Sequence, residues 1–168
     1  SSSCSVYGNV NGSVKETNKT KPHGYYAYTK LKSEKIIKEY SKKLNYNYFI
    51  LRYFNVAGAS KSGKIGQIEK SHGQLIKNLA ITSLKINPKV NIYGNDYNTR
   101  DGTCIRDYIH VSDLADIHAK FIQYQFTKRN SYIVNCGYGR GYSVKEVVDV
   151  FKLIKKNVAV SYQKRRPG

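Results

Sequence analysis

Tyr48-Phe49-Ile50-Leu51-Arg52-Tyr53 is a short run of aromatic and β-branched residues, and it follows a segment of a different period. Its length and composition predict a buried strand. Upstream, residues 26–44 carry Leu31, Ile36, Ile37, Tyr40 and Leu44 close to the spacing of one helical face. The same alternation continues downstream. Residues 5–8 read as a strand end entering a loop, 75–86 as a helix halted before Pro88, 90–93 and 105–111 as strands. Ser112 stands where an N-cap would open a helix through Tyr124. Ser143-Val144-Lys145-Glu146 has capping-box spacing ahead of a helix to about Lys156. Residues 132–135 and 158–162 complete the strands. Strands alternating with helices predict βαβ units in a largely parallel sheet, an α/β fold. Residues 9–24 and 58–73 are polar loops well beyond the usual ~4–6 residues, a length associated with function.

Composition narrows the classes. Hydrophobic residues make up 40% of the 168-residue chain, below the ~45–50% of an average globular domain. The sixteen tyrosines can fill a core where their hydroxyls find partners. No window approaches ~18 uninterrupted apolar residues, so no membrane span is expected. The chain lacks Met, and both ends read as cuts in a longer protein. Cys4, Cys104 and Cys136 are far apart and form no metal-ligand or redox pair, which predicts reduced thiols in a cytoplasmic protein. The net charge of +18 raises a nucleic-acid partner. The lysines are spread along the chain, however, and Lys30, Lys32, Lys35, Lys38, Lys42 and Lys43 fit the solvated face of one helix. A generally lysine-rich composition explains that pattern as well.

Several residues could carry chemistry. Tyr26 and Lys30 are four apart at a helix start, so their side chains share a face. An ammonium beside a phenol favours the phenolate, which can act as a general base on a hydroxyl. The plain alternative is a core tyrosine next to a surface lysine, and Tyr28 with Lys32 has the same spacing. The serines at residues 1–3 end a strand, where ligands bind in open α/β sheets, or they are satisfied by backbone. His23, His72, His110 and His118 offer no metal spacing, and His110 reads as packed and hydrogen-bonded. Asp107 and Asp113 flank it, a pairing with no further support for hydrolysis. Arg106 lies in an apolar run and requires an anion. A salt bridge to Asp107 or Asp101 would supply it, and so would a phosphate, which guanidinium groups such as Arg106 and Arg166 pair well. Gly137-Tyr138-Gly139-Arg140-Gly141 reads as a tight strand-to-helix connection, since no Gly-x-Gly-x-x-Gly occurs.

Taken in order, three segments resemble extended short-chain dehydrogenase/reductases: residues 1–8, Tyr26-x-x-x-Lys30, and Leu51-Arg52-Tyr53-Phe54-Asn55-Val56-Ala57-Gly58-Ala59. Residues 92–111, from Ile92-Tyr93-Gly94-Asn95-Asp96 to Arg106-Asp107-Tyr108-Ile109-His110-Val111, narrow the resemblance to UDP-glucose/UDP-galactose 4-epimerases, as does Ser112-Asp113-Leu114-Ala115-Asp116-Ile117-His118. The resemblance covers essentially the whole chain. It implies a partial Rossmann-like parallel sheet with part of a smaller C-terminal substrate-binding domain. Residues 1–60 and 104–128 would belong to the NAD-binding piece, and 61–103 and 129–168 to the UDP-sugar-binding piece.

The resemblance also implies roles. Tyr26 matches the catalytic base, Lys30 the lysine that holds the cofactor ribose, and Ser3 the hydroxyl that relays a proton. Tyr53 and Phe54 match the stretch beside the nicotinamide of NAD. Asn55, Gln74 and Leu75 match substrate contacts, Asn91, Ile92 and Tyr93 the uracil-binding strand, and Arg106 and Arg166 the diphosphate arginines. The implied reaction interconverts UDP-galactose and UDP-glucose through a 4-keto sugar, in a homodimer when full-length. The chain departs from the family at Tyr25, usually Pro, at Gln74, usually Asn or His, and in a loop before Tyr26 about two residues short. With the Gly-rich cofactor loop and a C-terminal tail outside the sequence, residues 1–168 alone are expected to be inactive. Related dehydratases and decarboxylases, and a basic nucleic-acid-binding module, are the competing readings.

Overall fold

A computed structural model describes residues 1–68, 74–128 and 130–166. Its elements, in chain order, are β1 (Ser2–Ser3), a 3-10 turn (Cys4–Tyr7), α1 (Tyr25–Leu44), β2 (Phe49–Tyr53), β3 (Asn55–Ala57) and α2 (Leu75–Ser83). They continue with β4 (Lys89–Tyr93), β5 (Ile105–His110), α3 (Val111–Lys128), β6 (Tyr132–Cys136), β7 (Gly141–Ser143), α4 (Val144–Ile154) and β8 (Ala159–Gln163). The expected α/β alternation is present. The end of the second long loop, with His72 and Gly73, lies outside the described residues.

β2 is the hub. It pairs in parallel with β1, Ser2 opposite Arg52 and Ser3 opposite Tyr53, and with β6 from Phe49 opposite Tyr132 to Tyr53 opposite Cys136. β2 and β3 form one extended run broken at Phe54, whose N–H is still donated to the Cys136 carbonyl at 3.0 Å. Past that break the chain changes partner, and β3 pairs in parallel with β5. β4 and β8 form a separate parallel pair.

Each group has its own core. Leu51, Ile109, Leu114 and Cys136 are buried together with Phe49, Val56, Ile117 and Phe121 against them. Leu79, Val90, Ile92, Val148 and Phe151 form the second cluster. Tyr132–Cys136, which the sequence reading grouped with residues 129–168, therefore joins the first sheet and first core, anchored by the stacked rings of Phe49 and Tyr132.

Local chemistry moves several expected boundaries. Residues 5–8 are not a strand end, because the Ser3 hydroxyl accepts the Ser5 N–H and coils the chain into the 3-10 turn. α2 stops at Ser83 rather than residue 86. The Leu84 and Lys85 N–H groups tighten onto Ile81 and Thr82, and Asn87 is held out of helical conformation by Pro88. Ser112 is not the N-cap of α3, which starts one residue earlier. The His110 ring serves instead, its Nδ1 accepting the Ser112 N–H at 3.2 Å. The glycine-rich connection after β6 contains an unpredicted strand, β7, antiparallel to β5. The capping box is present as read: Ser143 accepts the Glu146 N–H, and the Glu146 carboxylate accepts the Ser143 N–H. No helix among the described residues is long and apolar enough to cross a membrane.

Candidate active site

The C-terminal ends of β1 and β2, the strand β3, the first turn of α1, the length of α2, and the faces of β4 and β5 open onto one cavity of about 1290 Å³. Ser3, Tyr26, Tyr53, Phe54, Asn55, Gln74, Leu75, Asn91, Tyr93, Arg106 and Arg166 all line it. Of the residues picked from sequence, only Lys30 and Ile92 are not on its wall.

Lys30 stands behind Tyr26. Its Nζ lies 5.8 Å from the Tyr26 ring centroid and donates to the Ser1 carbonyl at 3.3 Å. The helix thus carries the phenol and the ammonium on one side, next to the strand that bears Ser3. Tyr25, Tyr26 and Tyr28 are all exposed, and of the three Tyr26 alone lines the cavity. The Ser3 oxygen accepts the Ser5 N–H at 3.2 Å, which leaves its own proton available for donation.

Tyr53 is oriented from behind. Its hydroxyl donates to His118 Nε2 at 2.7 Å, because His118 Nδ1 is committed as donor to the Leu114 carbonyl at 2.7 Å. Burial pushes the Tyr53 phenol above its ordinary range, so it stays neutral. Asn55 donates to the Asp107 carbonyl at 3.0 Å. On β4, strand alternation exposes Asn91 and Tyr93 and buries Ile92 in the core. The Ile92 side chain is therefore withdrawn from the cavity. Asn91 accepts the Ser161 hydroxyl at 2.6 Å, and the Arg166 guanidinium stacks 3.9 Å over the Tyr93 ring.

Arg106 corrects the sequence reading. It is exposed rather than buried, and among the described residues its Nη1 donates to the Ile105 carbonyl alone. Asp107 is taken by the Tyr138 and Gly139 N–H groups, and Asp101 by Thr103 and Ser143. Neither proposed salt bridge forms. Lys77, Lys89, Arg106 and Arg166 line the cavity, and no Asp or Glu does among the described residues. No group of three His, Cys, Asp or Glu able to hold a metal occurs among the described residues.

Lys77, Lys89, Tyr97, Cys104 and Tyr108 also face the cavity and were not anticipated. Alternation along the predicted strands carried enough signal for Tyr108, two residues from Arg106. Beneath the cavity floor lies a second unanticipated group. Glu34 and Arg52, 1% and 3% exposed, form a two-pronged ion pair at 2.7 and 2.9 Å. Ser2 donates to Glu34 at 2.6 Å, and Arg52 donates to the Tyr7 hydroxyl at 2.8 Å. Burial opposes ionisation of Glu34, but the hydrogen bonds from Arg52 and Ser2 prevail and hold its carboxyl below the usual range.

The model of the NAD dependent epimerase/dehydratase family matches residues 1–137. A UDP-glucose 4-epimerase of Azospirillum brasilense is 41% identical over the whole chain, which covers 49% of that protein. Among solved structures, UDP-glucose-4-epimerase from Stenotrophomonas maltophila, with bound NAD and formylated UDP-arabinopyranose, superposes with a TM-score of 0.91 at 36% identity. That match covers 99% of this chain and 51% of the other. UDP-glucose 4-epimerase from Bifidobacterium longum, in complex with NAD+ and UDP, gives 0.90 at 35% identity, over 100% and 51%. The chain spans about half the length of the relatives it matches. On the family match and on this cavity, the chain belongs to the NAD dependent epimerase/dehydratase family.

Proposed function

We propose that the full-length protein interconverts UDP-galactose and UDP-glucose by inverting sugar carbon-4 through a 4-keto sugar, with NAD as cofactor. The observation that carries this reading is the placement of Tyr26, with the Lys30 ammonium 5.8 Å from its ring, on the wall of the cavity that Ser3, Arg106 and Arg166 also line, neither arginine in an ion pair among the described residues. The relatives crystallised with NAD and with UDP or a UDP-sugar support the same ligands.

NAD fits the residues present. Tyr53 and Phe54 line the same cavity as Tyr26, and Lys30 offers an ammonium behind the Tyr26 ring. Bound there, NAD supplies reversible hydride transfer at carbon-4. The protein's own part is acid–base work and binding. Tyr26 takes and returns the proton of the sugar 4-hydroxyl, and Ser3 donates a hydrogen bond to the same oxygen. Arg106 and Arg166 neutralise the diphosphate, with Asn55, Gln74 and the first turn of α2 at Leu75 as further contacts. Asn91 and the Tyr93 ring receive the uracil. We further propose that residues 1–60, 104–128 and 132–136 belong to the cofactor-binding domain and the remainder to the sugar-nucleotide domain, as the two separate cores support. The exposed row Ile36, Tyr40 and Leu44 on α1 supports a homodimer of the full-length protein.

The test is Tyr26→Phe in the full-length protein. Epimerisation should fall by about 10²–10⁴-fold, while UDP binding by calorimetry stays at the wild-type affinity. Tyr25→Phe and Tyr28→Phe should leave turnover intact. Wild-type turnover in Tyr26→Phe would defeat the assignment.

A further inference from the structure

Within the buried polar group beneath the cavity, Ser2 reaches the wall, whereas Glu34, Arg52 and Tyr7 do not. Ser2 precedes Ser3, and Arg52 precedes Tyr53, on paired strands in register. Glu34 lies four residues after Lys30 and eight after Tyr26, so the helical face that presents the phenol and the ammonium ends in this carboxylate. One Glu34 oxygen accepts from both Ser2 and Arg52, and the other accepts from Arg52. A single carboxylate therefore ties together β1, α1 and β2, the three elements that carry Ser3, Tyr26 and Tyr53.

The chain of bonds continues outward. Arg52 donates to the Tyr7 hydroxyl and lies 4.8 Å from its ring centroid. Tyr7 sits in the 3-10 turn capped by Ser3 and donates to Asn135 on β6 at 2.7 Å. Asn135 in turn donates its side-chain amide to the Val14 carbonyl at 3.2 Å and its backbone N–H to Glu16 at 2.8 Å, pinning the loop that leads to Tyr26. Burying an ion pair is seldom a net source of stability compared with apolar packing. Its directional bonds do fix geometry: two-pronged pairing permits one rotation of α1 about its own axis against the sheet. With Ser2 and Tyr7, every nitrogen of the guanidinium and both carboxylate oxygens have a partner, and a network satisfied in this way rigidifies a core.

We infer that Glu34 and Arg52, braced by Ser2 and Tyr7, are positioning residues that set the approach of Tyr26 and Lys30 to Ser3 for the proposed reaction. The inference rests on the functional reading above. Neither Glu34 nor Arg52 lines the cavity, so their removal acts on turnover rather than on substrate affinity.

The experiment uses the full-length protein with NAD. Glu34→Gln removes the charge, Glu34→Asp keeps it on a shorter stem, and Ser2→Ala and Tyr7→Phe each remove one brace while leaving the ion pair. Glu34→Gln should lower kcat at least about tenfold with KM for UDP-galactose within about twofold. Glu34→Asp should recover part of the loss, and Ser2→Ala and Tyr7→Phe should each lose about threefold in kcat at constant KM. Should Glu34→Gln fail to fold, the two brace variants decide by the same split. Unchanged kcat in the folded variants, or a rise in KM that accounts for the whole loss, overturns the inference. Hydrogen exchange separates it from the functional reading. If the wild type does not epimerise UDP-galactose, that reading fails, and the inference is judged on backbone protection of residues 2–8 and 24–34 alone. Faster exchange there in Ser2→Ala and Tyr7→Phe, with the rest of the protein unchanged, supports it; wild-type exchange overturns it.

Discussion

Cys136 shows what burial does to one side chain. It is 1% exposed at the end of β6, and desolvation, with Glu16 adding a smaller effect, pushes its thiol up to about 11 from an ordinary 9.0. A folded-state value raised above the unfolded one means that the neutral thiol is the native form. Its contribution to stability is complete below pH 9 and is lost as pH rises toward 11. Cys136→Ala should remove that slope. Urea midpoints of the full-length wild type and variant, measured from pH 8 to 11, should converge as the solution becomes alkaline. The sequence could establish only that this thiol lacked a nearby cysteine partner. Its burial depends on β6 lying against β2, a pairing between segments far apart in the chain. The candidate site was legible to a similar degree. Tyr26, Lys30 and Ser3 stood in motifs, and so did Tyr7 and Arg52, but that these two meet Glu34 and Asn135 is decided only by tertiary packing. Arg52 did give a hint, as a charge inside an apolar strand.

At the scale of elements, α4 was the easiest helix to foresee, because its start is encoded within four residues. Ser143 is fully buried, caps Glu146 and also donates to Asp101. Ser143→Ala should cost about 1–2 kcal/mol, toward the upper end of cap substitutions because Asp101 loses a donor as well. Chemical denaturation of the full-length variant would measure it. A cost below a few tenths would mean that the cap is replaced by solvent. Less legible were the short strands. β3 and β7 have three residues each, too few to establish a period of two. β7 exists because Gly141 can lie flat against Ile105, where an added Cβ would approach the isoleucine side chain to 2.5 Å. The start of α3 was misread for a related reason: a histidine ring took the role that sequence rules give to serine.

For the whole molecule, the distribution of charge matters more than its sum. A net charge of +18 is compatible with many anionic partners, but the cavity concentrates Lys77, Lys89, Arg106 and Arg166 without a carboxylate among the described residues that line it. Such a wall attracts a diphosphate, and salt screens the attraction. For the proposed epimerisation by the full-length protein, KM for UDP-galactose should rise roughly threefold or more between about 0.05 M and about 0.5 M NaCl. Arg106→Ala should raise KM at low salt and flatten that dependence. An equal slope in wild type and variant would place the anion elsewhere.

The parallel pairing of distant strands also constrains how the protein is made. β2 leaves the ribosome roughly 80 residues before β6, and β4 roughly 70 residues before β8. At ~5–20 residues per second, each waits for several seconds with an unpaired edge. During translation, Phe49-Ile50-Leu51 is therefore a segment that a chaperone, or a neighbouring nascent chain, meets before its native partner has been synthesised.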